Sequence, residues 1–589
     1  MSNKHTVMHV APRRRSIRGR SLVPVAFTAI VAACSWATET TCADGVGCVD
    51  STGGNAGAAG KSGAQGGKGN PGGSGNAGGA AGESGAGGAQ GGAGGEAGNA
   101  GAGGGPSDCD ATEGDDSLSL HPCLVNNAYA LFVAPTGSDA DSGTREAPLK
   151  TINRALDLLS ANQGKVIVAC ASATPYDLPV AITSSARLYG GFSCPDSETP
   201  WVYQPGVLTV VAPPDPGTAL EIRGVADPVL VEDFEFDAAD ATIAGQSSIA
   251  ALIADSSAVT LHRTKLIAGN GARGTDGVAG TKGSDGAEAT GRSGRDAICF
   301  SAETTSAGGS WGPAANVCGS LPGNGGTANK ATFGAPGNPG TPLTDVTPAN
   351  VLNGGAAPLV DATADAESGK AGSPGNAGTP GAAATDEGSF TDAGFVPAQS
   401  GGNGTDGFPG QGGGGGGASS ASSSKAYETC IGASGGAGGM GGCAGKAGTG
   451  GSAGGASVAL LSWNSGVTLD VCTLVAAGGG DGGTGGGGGL GGLGKAGAAG
   501  GNGFTDNADV TIGKGGAGGP GGNGGAGGPG AGGNGGPSYA MVFKGLEPDA
   551  LTSALTAGKA GKGGLGGTAN ALAAANGAAG VTAKRFAVP

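Results

Sequence analysis

Residues 251–269 read ALIADSSAVTLHRTKLIAG, and residues 459–477 read ALLSWNSGVTLDVCTLVAA. Laid on each other without a gap, the two stretches keep their apolar positions, and Gly478 follows the second as Gly269 closes the first. A third copy, residues 540–558 (AMVFKGLEPDALTSALTAG), keeps the apolar start and the closing Leu-x-Ala-Gly. Repetition of one short unit is the mark of a solenoid, in which each coil buries its apolar face only against its neighbours. Upstream, short β-rich runs at 165–170, 186–192, 207–211, 219–222, 229–236, 249–253 and 259–267 are broken by turns, at a spacing that suits about 20 to 25 residues per coil. The fold expected is therefore all-β.

What separates the copies is glycine. The chain holds 134 Gly and 32 Pro in 589 residues, with aromatics at 4%, against an average Gly content near 7%. Such a composition excludes an ordinary enzyme of this length, because too few large side chains are present to offset chain entropy. The glycine-rich excursions 270–455, 479–537 and 559–589 all leave at the same point of the repeat, so they should emerge side by side from one face. Gly stands at every third position through 271–286, 334–340, 369–381 and much of 516–536. That period fits extended three-residue-per-turn helices whose Gly positions let backbones approach and hydrogen-bond. The expectation is polyglycine-II-like strands packed in parallel beside the solenoid, with plain disorder as the alternative. Their texture resembles the glycine-rich half of the PE-PGRS surface proteins, without that family's helical N-terminal domain.

Order is expected from Tyr129. A strand at 131–134, a polar turn at 136–144 and a short helix with Ile152, Ala155, Leu156 and Leu159 on one side follow in sequence. Val133, Pro135, Gly137, Asp139, Gly143, Thr144, Pro148, Thr151, Ile152 and Ala155 resemble the domain-of-unknown-function module that opens many bacterial right-handed parallel β-helix (pectin lyase-like) proteins. The resemblance implies a right-handed parallel β-helix with a small helical N-terminal cap, and says little about chemistry. A cap of this kind would cover the open end of the first coil.

The first residues form a basic stretch (Lys4, Arg13, Arg14, Arg15, Arg18, Arg20), an apolar run from Leu22 to Ala33, and Val31-Ala32-Ala33-Cys34. The run is too short to cross a bilayer and reads as a secretory leader. Its end resembles the lipobox of bacterial lipoproteins, which implies a lipidated Cys34, and Ser35 after it implies sorting to the outer membrane. Plain cleavage with Cys34 incidental, and twin-arginine export from Arg13-Arg14, are the competing readings. Removing the leader takes away six basic residues and no carboxylate, so the exported chain is more acidic than the −15 of the whole. An acidic surface repels phosphate backbones, which argues against nucleic acid as a partner and leaves a lipid anchor as the contact with membrane. Close cysteine neighbours suggest short-range disulfides: Cys42 with Cys48, Cys109 with Cys123, Cys170 with Cys194, Cys299 with Cys318, Cys430 with Cys443, and Cys472 left over.

Three constellations could carry chemistry. In Val231–Asp237 (VEDFEFD), read as one strand, Phe234 and Phe236 point inward while Asp233, Glu235 and Asp237 line the outer face. Their spacing of about 6.6 Å is near the carboxylate separation of inverting glycosidases. A solvated acidic face over two buried Phe fits the pattern equally, and no motif of pectate lyases or polygalacturonases surrounds it. Residues 401–409 (GGNGTDGFP) resemble the nine-residue calcium-binding β-roll repeat and make Asp406 a calcium candidate, although such rolls need tandem copies. Finally, His262, Arg263 and Lys265 stand together on the outer side of the first repeat. The cysteine spacings are not those of zinc sites, no phosphate-binding GxxxxGK[ST] is present, and no cofactor is expected.

The organisation read from these signals is a leader (1–33), a lipidated Cys and Gly/Ala-rich stalk (34–128), a cap and first coils (129–269), coils at 456–478 and 538–558, and the three glycine-rich segments (270–455, 479–537, 559–589). The function expected is a non-catalytic surface lipoprotein, structural or adhesive, contacting glycan, matrix or neighbouring cells. The rival is a polysaccharide lyase or glycoside hydrolase acting at Asp233, Glu235 and Asp237.

Overall fold

The computed structural model describes residues 124–589 apart from 195–198, 313–317, 360, 422–427 and 507–509. Cys34, Cys42, Cys48, Cys109 and Cys123, with the leader and the stalk as far as residue 123, lie outside the described residues. The fold is all-β, built on three parallel sheets. The first carries, in order, Ala130–Val133, Val166–Cys170, Ala186–Ser193, Val229–Glu232, Val259–His262 and Val467–Asp470. A second carries Val180–Ile182, Thr218–Arg223, Ser248–Ala254, Ser457–Trp463, Ser538–Lys544 and Thr582–Ala587. The third carries Thr209–Val211, Phe234–Ala238, Lys265–Ala268, Thr473–Ala476 and Ala554–Thr556. Three times between Thr218 and Ala476 the chain visits the second, first and third sheet in turn, and after Ser538–Lys544 it touches the first sheet only through the Thr468–Asp549 bridge before Ala554–Thr556. Their facing sides share one apolar cluster that includes Leu220, Ile222, Val231, Phe234, Phe236, Ile253, Leu261, Leu266, Leu469 and Leu474.

Two expectations about the repeat are corrected by this register. Glu235 pairs with Lys265, 30 residues on, so one coil is longer than 20 to 25 residues. The difference lies in the connection 239–247, which carries the chain from the third sheet back to the second. The first two copies also do not align without a gap. Val259 opposes Val467 and Lys265 opposes Thr473, as laid out above, but Ala251 opposes Leu460 rather than Ala459. One residue is missing from the second copy's corner, where Asp255 and Asn464 both take positive φ (50° and 48°) and Asn464 Nδ2 donates to Asp255 Oδ1 at 3.3 Å. A one-residue slip within a strand exchanges its two faces. The corner gap prevents that, and holds Ala251 and Leu460 inward with Leu252 and Leu461 outward.

At the N-terminal end a helix, α1 (Ile152–Leu159), buries Ile152, Ala155 and Leu159 in the main core. Asp139 prepares its start: Oδ1 accepts the Lys150 and Thr151 amides (3.0 and 2.8 Å) and Oδ2 accepts the Thr151 hydroxyl (2.9 Å). Thr151, the N-cap, then accepts from the Arg154 amide at 3.2 Å, satisfying an otherwise unpaired helix donor.

The glycine-rich segments are ordered by backbone hydrogen bonds at a period of three. Gly274, Gly277, Gly280, Gly283 and Gly286 donate to the carbonyls of 481, 484, 487, 490 and 493, in the same direction along both chains. Gly480, Gly483, Gly486, Gly489 and Gly492 donate to 455, 452, 449, 446 and 443, which run the opposite way. The expectation of parallel packing is therefore half right: an excursion that leaves and returns must lay some of its lengths antiparallel. The departure points do sit side by side, since Gly271 N bonds to Gly478 O and Gly479 N to Lys559 O, both at 2.9 Å. Glycine is required by proximity. A Cβ on Gly280 or Gly527 would fall on the Lys446 carbonyl oxygen. At the triplet position that bears a side chain, the amide often bonds to a neighbouring carboxylate, as Thr484 N does to Asp276 (2.7 Å), Leu493 N to Asp285 (2.9 Å) and Lys514 N to Asp365 (2.7 Å).

Of the described cysteines, Cys170 is bonded to Cys194 as spacing suggests, and Cys472 is a buried free thiol. Cys299 and Cys318 do not pair, nor do Cys430 and Cys443. The bonds are Cys299–Cys430 and Cys318–Cys443, across 131 and 125 residues. The excursion folds back, so Ile298–Cys299 forms an antiparallel pair with Cys430–Ile431, and proximity in space overrides proximity in sequence.

Candidate functional site

Val231–Asp237 is not one strand. The chain turns between Glu232, the last residue of a strand in the first sheet, and Phe234, the first of one in the third, and Asp233 makes the corner at φ 60°. Arg263 (φ 49°) and Val471 (φ 54°) take the same corner in the next two coils. Asp233 therefore leaves the ladder expected of it. Glu235 and Asp237 remain on the outer side, half-buried, with Phe234 and Phe236 inward as anticipated.

Three coils stack their polar residues at this corner. Glu232, His262 and Asp470 occupy one register position of the first sheet. His262 Nδ1 lies 3.5 Å from Glu232 Oε2, and its Nε2 lies 3.5 Å from Asp470 Oδ2. Arg263 reaches back over the preceding coil: Nε donates to Asp233 Oδ1 at 2.8 Å, Nη2 donates to Asp233 Oδ2 at 2.7 Å, and Nη2 also meets Glu232 Oε1. Nη1 stands 2.9 Å from His262 Nε2. The Glu232 and Asp233 side chains are each only 2% exposed, so two carboxylates have been taken out of water and one guanidinium answers both. A planar fork suits this bidentate geometry better than an ammonium would. The Asp233 hydrogen bond holds the Arg263 pKa above its ordinary value, while burial acts against it. Tyr203 beside the corner is also raised, first by burial and then by the Asp233 charge.

Chemically, this arrangement clamps the corner at 262–263 to the equivalent corner 30 residues earlier, at 232–233. Asp233 is held by Arg263, so it cannot serve as a general acid or base beside Glu235. Outside the corner, Lys265 donates to Glu235 at 3.2 Å. The Asp237 carboxyl is raised, first by burial and next by Glu235 and Asp240, with Lys265 opposing. Of the sequence candidates, then, Glu235, Asp237 and Lys265 are brought together, and Asp233, His262 and Arg263 join a different group. Glu232 was missed. Its signal was in the sequence: Glu232, Asp233 and Glu235 precede His262, Arg263 and Lys265 by one coil, acid against base each time, but a coil length of 30 is needed to see it.

Asp406 is occupied as well. Its Oδ2 accepts from Lys446 Nζ and its Oδ1 from the Ala447 amide, both at 2.8 Å, and these two bonds hold the carboxyl below its usual range. The residues around it tie two glycine-rich lengths together, and no calcium-ligating set forms there. Among the described residues no group of His, Cys, Asp and Glu is placed to hold a metal ion, and no helix is long and apolar enough to cross a membrane. No family model, curated protein or solved structure matches the chain.

Proposed function

We propose that the protein is a non-catalytic cell-surface scaffold: an exported chain, anchored in the outer membrane through lipidated Cys34, whose sheets close into a right-handed parallel β-helix with polyglycine-II-like lengths beside it. Its role is structural or adhesive, toward glycan, matrix or neighbouring cells, with no part for nucleic acid. The observation that carries the reading is the Arg263 fork, which occupies Asp233, one of the three acids of the would-be catalytic row, together with its neighbour Glu232. Ordered glycine-rich layers support it further, because they project neutral and charged side chains from a backbone held on several sides. The resemblance of Val133 to Ala155 to a β-helix cap module, and of the leader to lipoproteins, points the same way.

One observation favours the hydrolase reading. Glu235 and Asp237 share an outer face about 6.6 Å apart, and burial followed by the Glu235 charge raises the Asp237 carboxyl toward its protonated form, as the general acid of a glycosidase requires. The purified chain incubated with acidic and neutral polysaccharides, with and without Ca²⁺, decides between them. Retention on one glycan without new reducing ends or unsaturated uronates is expected; turnover lost in Glu235→Gln or Asp237→Asn would sink the scaffold reading. Anchoring is tested separately, since Cys34→Ser should move the chain from the membrane to the soluble fraction.

A further inference from the structure

The outer face of the second sheet is covered by a hairpin, Ser389–Thr391 with Gly394–Val396, borne on the return of the first excursion. Between this hairpin, the last two strands of the sheet and the ends of two glycine-rich lengths lies a cavity of about 240 Å³. It is larger than the engineered space of about 150 Å³ that holds benzene. Its rings stand in different planes: Phe390 is inclined 49° to Phe395 and 62° to Tyr539, while Tyr539 and Phe586 stack at 4.8 Å. Glu387 lines the same cavity and makes no ion pair or hydrogen bond among the described residues. Its charge is felt inside, because Tyr539 is raised first by burial and then by Glu387.

The chemistry of the lining discriminates among ligands. A sugar needs several free donors and acceptors, but the one amide side chain here, Asn534, has both ends engaged, accepting from the Ala578 amide (2.8 Å) and donating to Asp386 O (2.6 Å). A purely apolar ligand would gain nothing from the Glu387 carboxylate at the rim of the cavity. Aromatic faces around a space beside an unpaired carboxylate suit an organic cation, attracted by the ring quadrupoles and by the charge together. Lys544, which donates to the main-chain oxygen of the lining residue Pro589, is also engaged by the Trp463 ring. We propose that this cavity binds a small organic ammonium ion between Phe390, Phe395, Tyr539 and Phe586, with Glu387 as its counter-charge. The site is independent of the Arg263 corner and of any glycan contact.

Calorimetric titration of the full chain with choline, and with its neutral carbon isostere 3,3-dimethylbutan-1-ol, tests the assignment. Saturable choline binding is expected, with the isostere about tenfold weaker. Glu387→Gln, at an exposed position where folding is not at stake, should cost choline about tenfold and leave the isostere unchanged. Phe395→Ala should weaken both. Equal affinity for the two probes, choline binding indifferent to Glu387→Gln, or no saturable choline binding would each overturn the proposal.

Discussion

The sheets and the glycine-rich lengths hold backbone in place by opposite means. In the sheets, strands pair edge to edge and are held by what their side chains bury, Phe234 stacking on Phe236 inside and Tyr539 on Phe586 outside. In the glycine-rich lengths, chains are hydrogen-bonded to several neighbours at once and the side chain is what must be absent. A strand forms hydrogen bonds in one plane and leaves its faces to apolar packing. An extended helix with three residues per turn directs its amides around its axis, so backbone can bond in several directions without an apolar core. Large residues would be wasted there, which is why 4% aromatics suffice for a chain of this length.

The contrast can be broken experimentally, most severely through the disulfides. Replacing Cys318 and Cys443 by Ala opens a loop of about 30 residues, because Cys299–Cys430 still spans most of the 125 between them, and the chain-entropy argument gives about 4 kcal/mol for it. Hydrogen exchange should then rise along 401–455 while 218–238 stays protected; uniform exchange would mean that the two regions unfold as one. Next, Phe236→Ala should cost about 3–5 kcal/mol through the cavity it leaves. Gly527→Ala should cost about 2–3 kcal/mol for the opposite reason, overpacking against the Lys446 carbonyl. Denaturant melts of the two variants give the comparison directly, and a harmless Gly527→Ala would show that the lengths are looser than described.

Smaller effects sharpen it. Ser462 sits in the row between Ile253 and Phe543, its hydroxyl buried and without a hydrogen-bond partner among the described residues. Ser462→Ala should therefore raise stability, by up to about 1 kcal/mol, since the group removed was unsatisfied. The smallest effect is acidic. Asp276 is lowered first by Arg273 and then by the Thr484 amide, and Asp285 first by the Leu493 amide and then by Lys282. A carboxyl depressed in the folded state stabilises above its unfolded pKa, near 3.9, and that contribution is lost as pH falls through the folded value. Melting followed from pH 7 to below 4 should show the glycine-rich lengths loosening before the sheets, and no change in exchange at 274–294 would exclude these contacts as stabilising.

Much of this was legible in residues 251–269 and their copies. Apolar alternation marked the strands, the common departure point of the excursions placed Gly271 beside Gly478, and Gly at every third position announced the three-residue period. The Arg263 corner was less legible, because Asp233 looks like one more outward residue until its φ of 60° ends the strand. Its partner lies 30 residues away, and nothing local in VEDFEFD announces that distance.

The amino-acid sequence by itself determined the local periods: two in the strands, three in the glycine-rich lengths, and a short helix whose start is held by Asp139 and Thr151. Those follow from sterics and hydrogen bonding within a few residues of the chain. Only the tertiary structure decided that Cys299 meets Cys430, that the excursions run in both directions, that Arg263 closes on Glu232 and Asp233, and that Phe390 faces Tyr539. Each of these joins residues far apart in the chain, and such contacts depend on how many residues the intervening coil or excursion takes to return.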